Sequence, residues 1–152
     1  MENLQVKKVL LEEALRKKSM GNMFTIVEKE NLVLFRSFQE IYANNCLTAI
    51  ILSESAYTMI NIFFGKLVLE DKRNEVLNLI NSLNTTYIAN KFVLSKSNEL
   101  ILQVPYISLA DDFNGELVID LLRELLIILV KKEYIKFKDI LGDSMIMDFV
   151  NN

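Results

Sequence analysis

The chain has 152 residues, 51% of them hydrophobic and 24% charged, with one Pro and four Gly; this excludes a disordered or linker-like polypeptide and suits one domain with its own core. One Cys excludes an internal disulfide, and the absence of His removes the commonest catalytic base and metal ligand. A formal charge of −3, from 17 basic and 20 acidic residues, leaves no basic footprint for nucleic acid.

The chain opens with a helical stretch, Glu2 to Lys18, rich in Leu, Glu and Lys. Its apolar stripe is broken: Leu4, Leu11 and Leu15 share one side, while Val6 and Leu10 lie elsewhere. Met20-Gly21-Asn22 is a natural stop. This beginning lacks the apolar core of a signal peptide. The longest uninterrupted apolar run, Leu125 to Val130, is far short of the ~20 residues of a membrane span. The expectation is therefore a cytoplasmic protein without membrane contact, in which Cys46 is a reduced thiol buried in a strand. The basic clusters Lys7-Lys8, Arg16-Lys17-Lys18 and Lys131-Lys132 read as solvated helix faces or helix C-termini.

Strand-like sequence follows. Met23 to Glu28 and Leu32 to Tyr42 flank a turn at Lys29-Glu30-Asn31. Cys46 to Ser53 and Tyr57 to Val68 flank Glu54-Ser55-Ala56. Both pairs are enriched in Ile, Phe, Tyr and Thr and read as hairpins. Gly65 suggests a bulge or bend. Glu70 to Asn84 reads as an amphipathic helix, with Val76, Leu77, Leu79, Ile80 and Leu83 on an arc of about 160°. Lys91 to Leu94 and Glu99 to Tyr106 form a third hairpin, in which Leu100, Leu102, Val104 and Tyr106 alternate with Glu99, Ile101, Gln103 and Pro105. Pro105 points to an edge or a strand end. Two closing helices are expected. One runs from Gly115 to Lys132, capped by Asn114 or Asp112. The other starts near Tyr134, with Phe137, Ile140 and Leu141 on one face, and ends near Gly142, after which Asp143 caps a short turn.

The helix from Gly115 is the unusual element. Its polar residues fit an arc of about 100°, while apolar residues from Leu117 to Val130 fill about 220°, more than packing on a sheet requires. Three or four uncovered side chains would each forgo ~1.5–3 kcal/mol. Three coverings are open: another helix of the same chain, a second protomer, or a different protein partner. The candidate partner or dimer surface is Ile119, Leu122, Leu126, Leu129 and Val130.

Catalytic and metal chemistry has little to build on. The carboxylate pairs Asp111-Asp112 and Glu70-Asp71 sit at helix starts, where acidic residues favour the dipole. Cys46 has no His to activate it. Isolated glycines build no phosphate loop, and no EF-hand or zinc pattern is present. No catalytic residue, metal ligand or cofactor is therefore expected. Met59 reads as core, and Met145 and Met147 as packing near the C-terminus. Phe24, Phe35, Phe38, Phe63 and Phe64 fall in strands without a basic face for stacking bases.

The run from Glu70 to Leu109 resembles the YbjN family of small bacterial proteins. The resemblance rests on Lys72 and Arg73, then Leu77, Ile80, Asn81 and Asn84, then Lys91, Phe92 and Leu94, then Leu100 and Leu102, followed by the apolar helix from Leu117 to Val130 and the closing segment Tyr134 to Leu141. It implies an α+β fold similar to the type III secretion chaperones, an antiparallel sheet of five or six strands packed on helices, often dimeric. It also implies a role as a regulator of sensory transduction without a known enzyme activity. The reading is a single domain over residues 1–152 that binds proteins through an apolar helix or sheet surface. Its alternatives are a toxin-neutralising immunity-type inhibitor and a small enzyme using Asp111 or Asp112.

Overall fold

Period-two alternation makes the strands, and the one fully apolar stretch makes the longest helix. In the computed structural model, which describes residues 2–67 and 70–146, the order is α1 (Glu2–Lys17), β1 (Thr25–Glu28), β2 (Leu32–Ile41), β3 (Asn44–Ser53), β4 (Tyr57–Leu67), α2 (Arg73–Thr86), β5 (Lys91–Leu94) and β6 (Glu99–Ile107). A continuous helix follows: α3 (Gly115–Glu124), a π-helical segment (Leu125–Val130) and α4 (Lys131–Leu141). A two-residue β7 (Met145–Ile146) closes the described chain. Val68 and Met147 lie outside the described residues. The fold class is α+β, as expected. The strands form one antiparallel sheet in the order β1-β2-β3-β4-β6-β5, with β7 pairing the last residues of β4.

All three expected hairpins are present, and a fourth turn joins β2 to β3. Its central residues, Tyr42 and Ala43, both have positive φ, 50° and 64°. Such turns suit the twist of a hairpin but favour Asn-Gly, which explains why the sequence hides this one. Gly65 sits at the bulge of β4, between Phe63 and Gly65 in the pairing with β6. A Cβ there would overlap the Met145 side chain. Pro105 is tolerated because β5 pairs β6 only as far as Gln103, so no partner on that side needs its missing N–H.

One face of the sheet carries Val33, Phe35, Ile50, Leu52, Ile60, Ile62 and Leu102, which share a single hydrophobic cluster with the buried residues of every helix. All helices therefore cover the same face. On α1, the gap in the apolar stripe is filled by Lys7, which is fully buried. Its ammonium donates to the carbonyls of Ser53 (3.2 Å) and Ser55 (2.5 Å) in the β3–β4 turn. The carboxylate of Glu54, in the same turn, accepts from the backbone N–H of Asn3 and Leu4, 3.0 Å each, and so caps α1 from outside. Burial holds the Lys7 ammonium below its ordinary range, partly countered by the charge of Glu54.

Two expectations for the C-terminal helices change. The break near Tyr134 is absent, and one helix runs from Gly115 to Leu141, started by Asn114, whose side chain accepts from Leu117 N–H. It ends at Gly142, where φ is +51°. Asp143 is not a cap residue: it lies inside the 3-10 turn Gly142–Ser144, which is preceded by Leu141.

Second, most of the surplus apolar arc is absorbed by the chain itself. Ile119, Leu122, Leu126, Leu129 and Val130 are all buried, at 0, 2, 8, 7 and 1% exposure, and are no partner surface in this fold. The π segment explains much of this. A turn closed i→i+5 winds each residue by roughly 80° rather than about 100°. Leu125 and Val130, about 140° apart on an α-helix, come within about 40° and both face the core. Leu117 and Ile128 remain exposed. No helix among the described residues is long and apolar enough to cross a membrane.

Candidate functional site

The other face of the sheet has no helix on it among the described residues. Alternation sends every second side chain there, and the strand register sorts these side chains into rows. A polar middle row holds Arg36, Ala49, Asn61, Gln103 and Lys91. On one side lies an apolar row of Leu34, Ile51, Met59 and Pro105. On the other lies Phe38, Leu47, Phe63, Ile101 and Val93. A last row holds Glu40, Asn45, Lys66 and Glu99. None of these residues belongs to the core cluster. Leu34, Leu47, Ile51, Met59 and Phe63 are only half-buried, and Phe38 is 45% exposed.

The face spans about 24 Å across five strands and about 27 Å from the Leu32 row to the Glu40 row, roughly 650 Å². That outline takes in the polar and charged rows, so its exposed apolar part is smaller. At its centre Asn61 is only 7% exposed, and its Oδ1 accepts no hydrogen bond among the described residues. A buried amide oxygen without a donor costs about 1–3 kcal/mol. Arg36 and Lys91, at the ends of the same row, make no ion pair among the described residues.

The residues considered for chemistry lie apart from this face and from each other. Asp111 and Asp112 are exposed on a 3-10 turn ahead of α3. Glu70 accepts from the side chain of Asn98 at 2.8 Å. Cys46 is fully buried in β3, on the core side, and burial pushes its thiol up to about 12, which leaves it protonated and unreactive. No three acidic or Cys side chains among the described residues stand close enough to hold a metal ion. A small hollow lies at the α3–π junction, lined by Met20, Met23, Leu122 and Leu126. Arg123 closes it, with Nη2 2.8 Å from the sulfur of Met20.

One polar cluster escaped sequence reasoning. Glu133 is buried on the inner side of α4. It accepts from the hydroxyl of Tyr87 at 2.6 Å and pairs with Lys136 at 2.8 Å. Burial pushes its carboxyl up, but Lys136, Tyr87 and Lys132 together more than offset this and hold it below the ordinary range. The hydrogen bond to Glu133, with burial, pushes Tyr87 up to about 12. The cluster ties the end of α2 to α4. The signal was a carboxylate spaced with Val130 and Phe137 on the apolar side of the helix.

No family model matches the chain, and no curated protein matches it by sequence.

Proposed function

We propose that this protein is a non-enzymatic association module that binds another polypeptide through the open face of its sheet. One observation carries the reading: the half-buried Leu34, Leu47, Ile51, Met59 and Phe63 and the exposed Phe38 stand on a sheet face that no helix covers among the described residues. A docked partner removes the cost of this exposure by shielding the apolar side chains from water. The resemblance of residues 70–109 to the YbjN family supports a regulator that works through protein contacts. The enzyme alternative would rest on an open hollow that Asp111 and Asp112 line with Glu13, Lys17 and Glu116; both aspartates are exposed there.

The test is photo-crosslinking in the host cell. A photoreactive residue at Leu47, on the open face, is expected to give a discrete crosslinked product. The same residue at Leu77, exposed on the outer side of α2, is expected to give none. Absence of a product at Leu47 rejects the reading.

A further inference from the structure

We infer that the hollow at the α3–π junction binds a small aliphatic carboxylate, whose chain enters the hollow and whose head group is taken by Arg123. The site lies on the helix-covered side of the sheet, so the inference is independent of the open face.

The first argument is shape. The hollow has a volume of about 270 Å³ and opens to solvent. Its floor is Met20, Ile41, Leu122 and Leu126, all buried, and Met23, 46% exposed, forms the outer wall. This space equals roughly nine waters of liquid, room for an aliphatic chain of roughly six to eight carbons. The unbranched thioethers of Met20 and Met23 can adapt to such a chain.

The second argument is charge. Arg123 lies across the hollow and donates to the Met20 sulfur at 2.8 Å. A thioether is a weak acceptor, so this guanidinium holds a poor partner in place of an anion. Asp120, one turn earlier on the helix, is engaged by Lys18 at 3.2 Å. Glu40 also borders the hollow, but alternation turns its side chain to the open face. Neither Arg123 nor Lys131, the second cation at the rim, forms an ion pair among the described residues.

The π segment brings these two cations to one side. Eight residues apart, they would stand about 80° from each other around an α-helix. With six of the steps wound at roughly 80°, the separation falls to about 40°. Both then overlook the same apolar hollow, and π segments occur frequently at functional sites. A carboxylate presents two oxygens that match the guanidinium fork. An aliphatic chain fills the space that the methionine and leucine side chains shield from water. A neutral ligand would leave the cations unused, and a bare anion would leave the hollow empty.

Methyl NMR of the full chain with labelled methionines tests the inference, with sodium hexanoate titrated to about 20 mM. The ε-methyl signals of Met20 and Met23 are expected to shift with an apparent Kd at or below about 3 mM. The signal of Met59, on the open face, is expected to stay in place. Met20→Leu and Met23→Leu assign the two signals. 1-Hexanol, equally long and uncharged, and acetate, charged and without a chain, are each expected to bind at least about tenfold more weakly. Arg123→Gln should weaken hexanoate binding about tenfold or more and leave 1-hexanol unchanged. Arg36→Gln removes the same charge from the open face and should leave hexanoate binding unchanged. Circular dichroism confirms that each variant is folded, and the comparison of hexanoate with 1-hexanol needs no variant. Met20 and Met23 signals that stay still at about 20 mM overturn the inference. So does a Met59 signal that moves in parallel, equal binding of 1-hexanol, or an Arg123→Gln variant that binds hexanoate like wild type.

Discussion

The β2–β3 turn sets two adjacent residues in opposition, and their substitutions should shift stability in opposite directions. Tyr42 and Ala43 both occupy the left-handed region, which costs about 1–2 kcal/mol for a residue with a Cβ. Ala43 receives nothing visible in return. Ala43→Gly removes its strain, against about 0.5–1 kcal/mol for the freedom glycine adds to the unfolded chain. The net gain is about 0.5–1 kcal/mol, an increase in Tm of about 2–4 °C. Tyr42 is held by contacts. Its ring stacks on Tyr134 with centroids 5.2 Å apart and planes at 21°, and its hydroxyl donates to the Lys131 carbonyl at 2.8 Å. The stack is worth about 0.5–1.5 kcal/mol and the hydrogen bond about the same. Because Tyr42 is 55% exposed, water recovers part of the bond, and Tyr42→Ala should cost about 1–2 kcal/mol. Tyr42→Phe isolates the hydroxyl, at about 0.5–1 kcal/mol. Urea titrations and thermal scans at low protein concentration read all three. A destabilised Ala43→Gly together with a neutral Tyr42→Ala would refute the reasoning.

Four further outcomes follow. Glu133 has a folded value below the ordinary carboxylate range, so its stabilisation is present above about pH 4.5 and lost as pH falls through the folded value; Glu133→Gln should flatten that acid limb in pH-dependent unfolding. Tyr87, raised to about 12, contributes stability that is complete below about pH 10 and lost as pH rises towards 12, and Tyr87→Phe should abolish this alkaline loss. Leu126→Glu places a charge in the core and should cost more than about 4 kcal/mol, whereas Leu47→Glu on the open face should keep a native circular dichroism spectrum and an unfolding midpoint within a few degrees. Lys7→Ala should cost about 2–4 kcal/mol, since it leaves a cavity and strips the Ser53 and Ser55 carbonyls of a donor; a change below about 0.5 kcal/mol would mean that the ammonium is not seated there.

Much of this architecture was legible because local chemistry and tertiary packing agree. Lys29-Glu30-Asn31 and Ser95 to Asn98 are polar breaks between apolar runs, and each became a turn. Gly65 marked its bulge. Elsewhere the deciding forces were remote. Lys7 holds a core position only because the β3–β4 turn brings two carbonyls to it, a contact spanning more than forty residues of chain. The apolar arc of the long helix was read on an ideal α-helical wheel, and a π turn changes that wheel. Strand alternation likewise gave two sets of side chains without saying that the helices would all take one side. Leu47 and Phe63 therefore looked like ordinary strand residues rather than parts of a face without a helix.

The lone thiol offers a use that its burial makes possible. Cys46 lies beneath the hairpin tip and near Tyr134, fully shielded, and is the sequence's single cysteine. A sulfhydryl reagent can reach it only during an opening event. With fast reclosure, the labelling rate reports the fraction of time that the hairpin is lifted away from the long helix. The protein thus carries an intrinsic gauge of breathing at one defined seam, readable by mass spectrometry without any engineered probe.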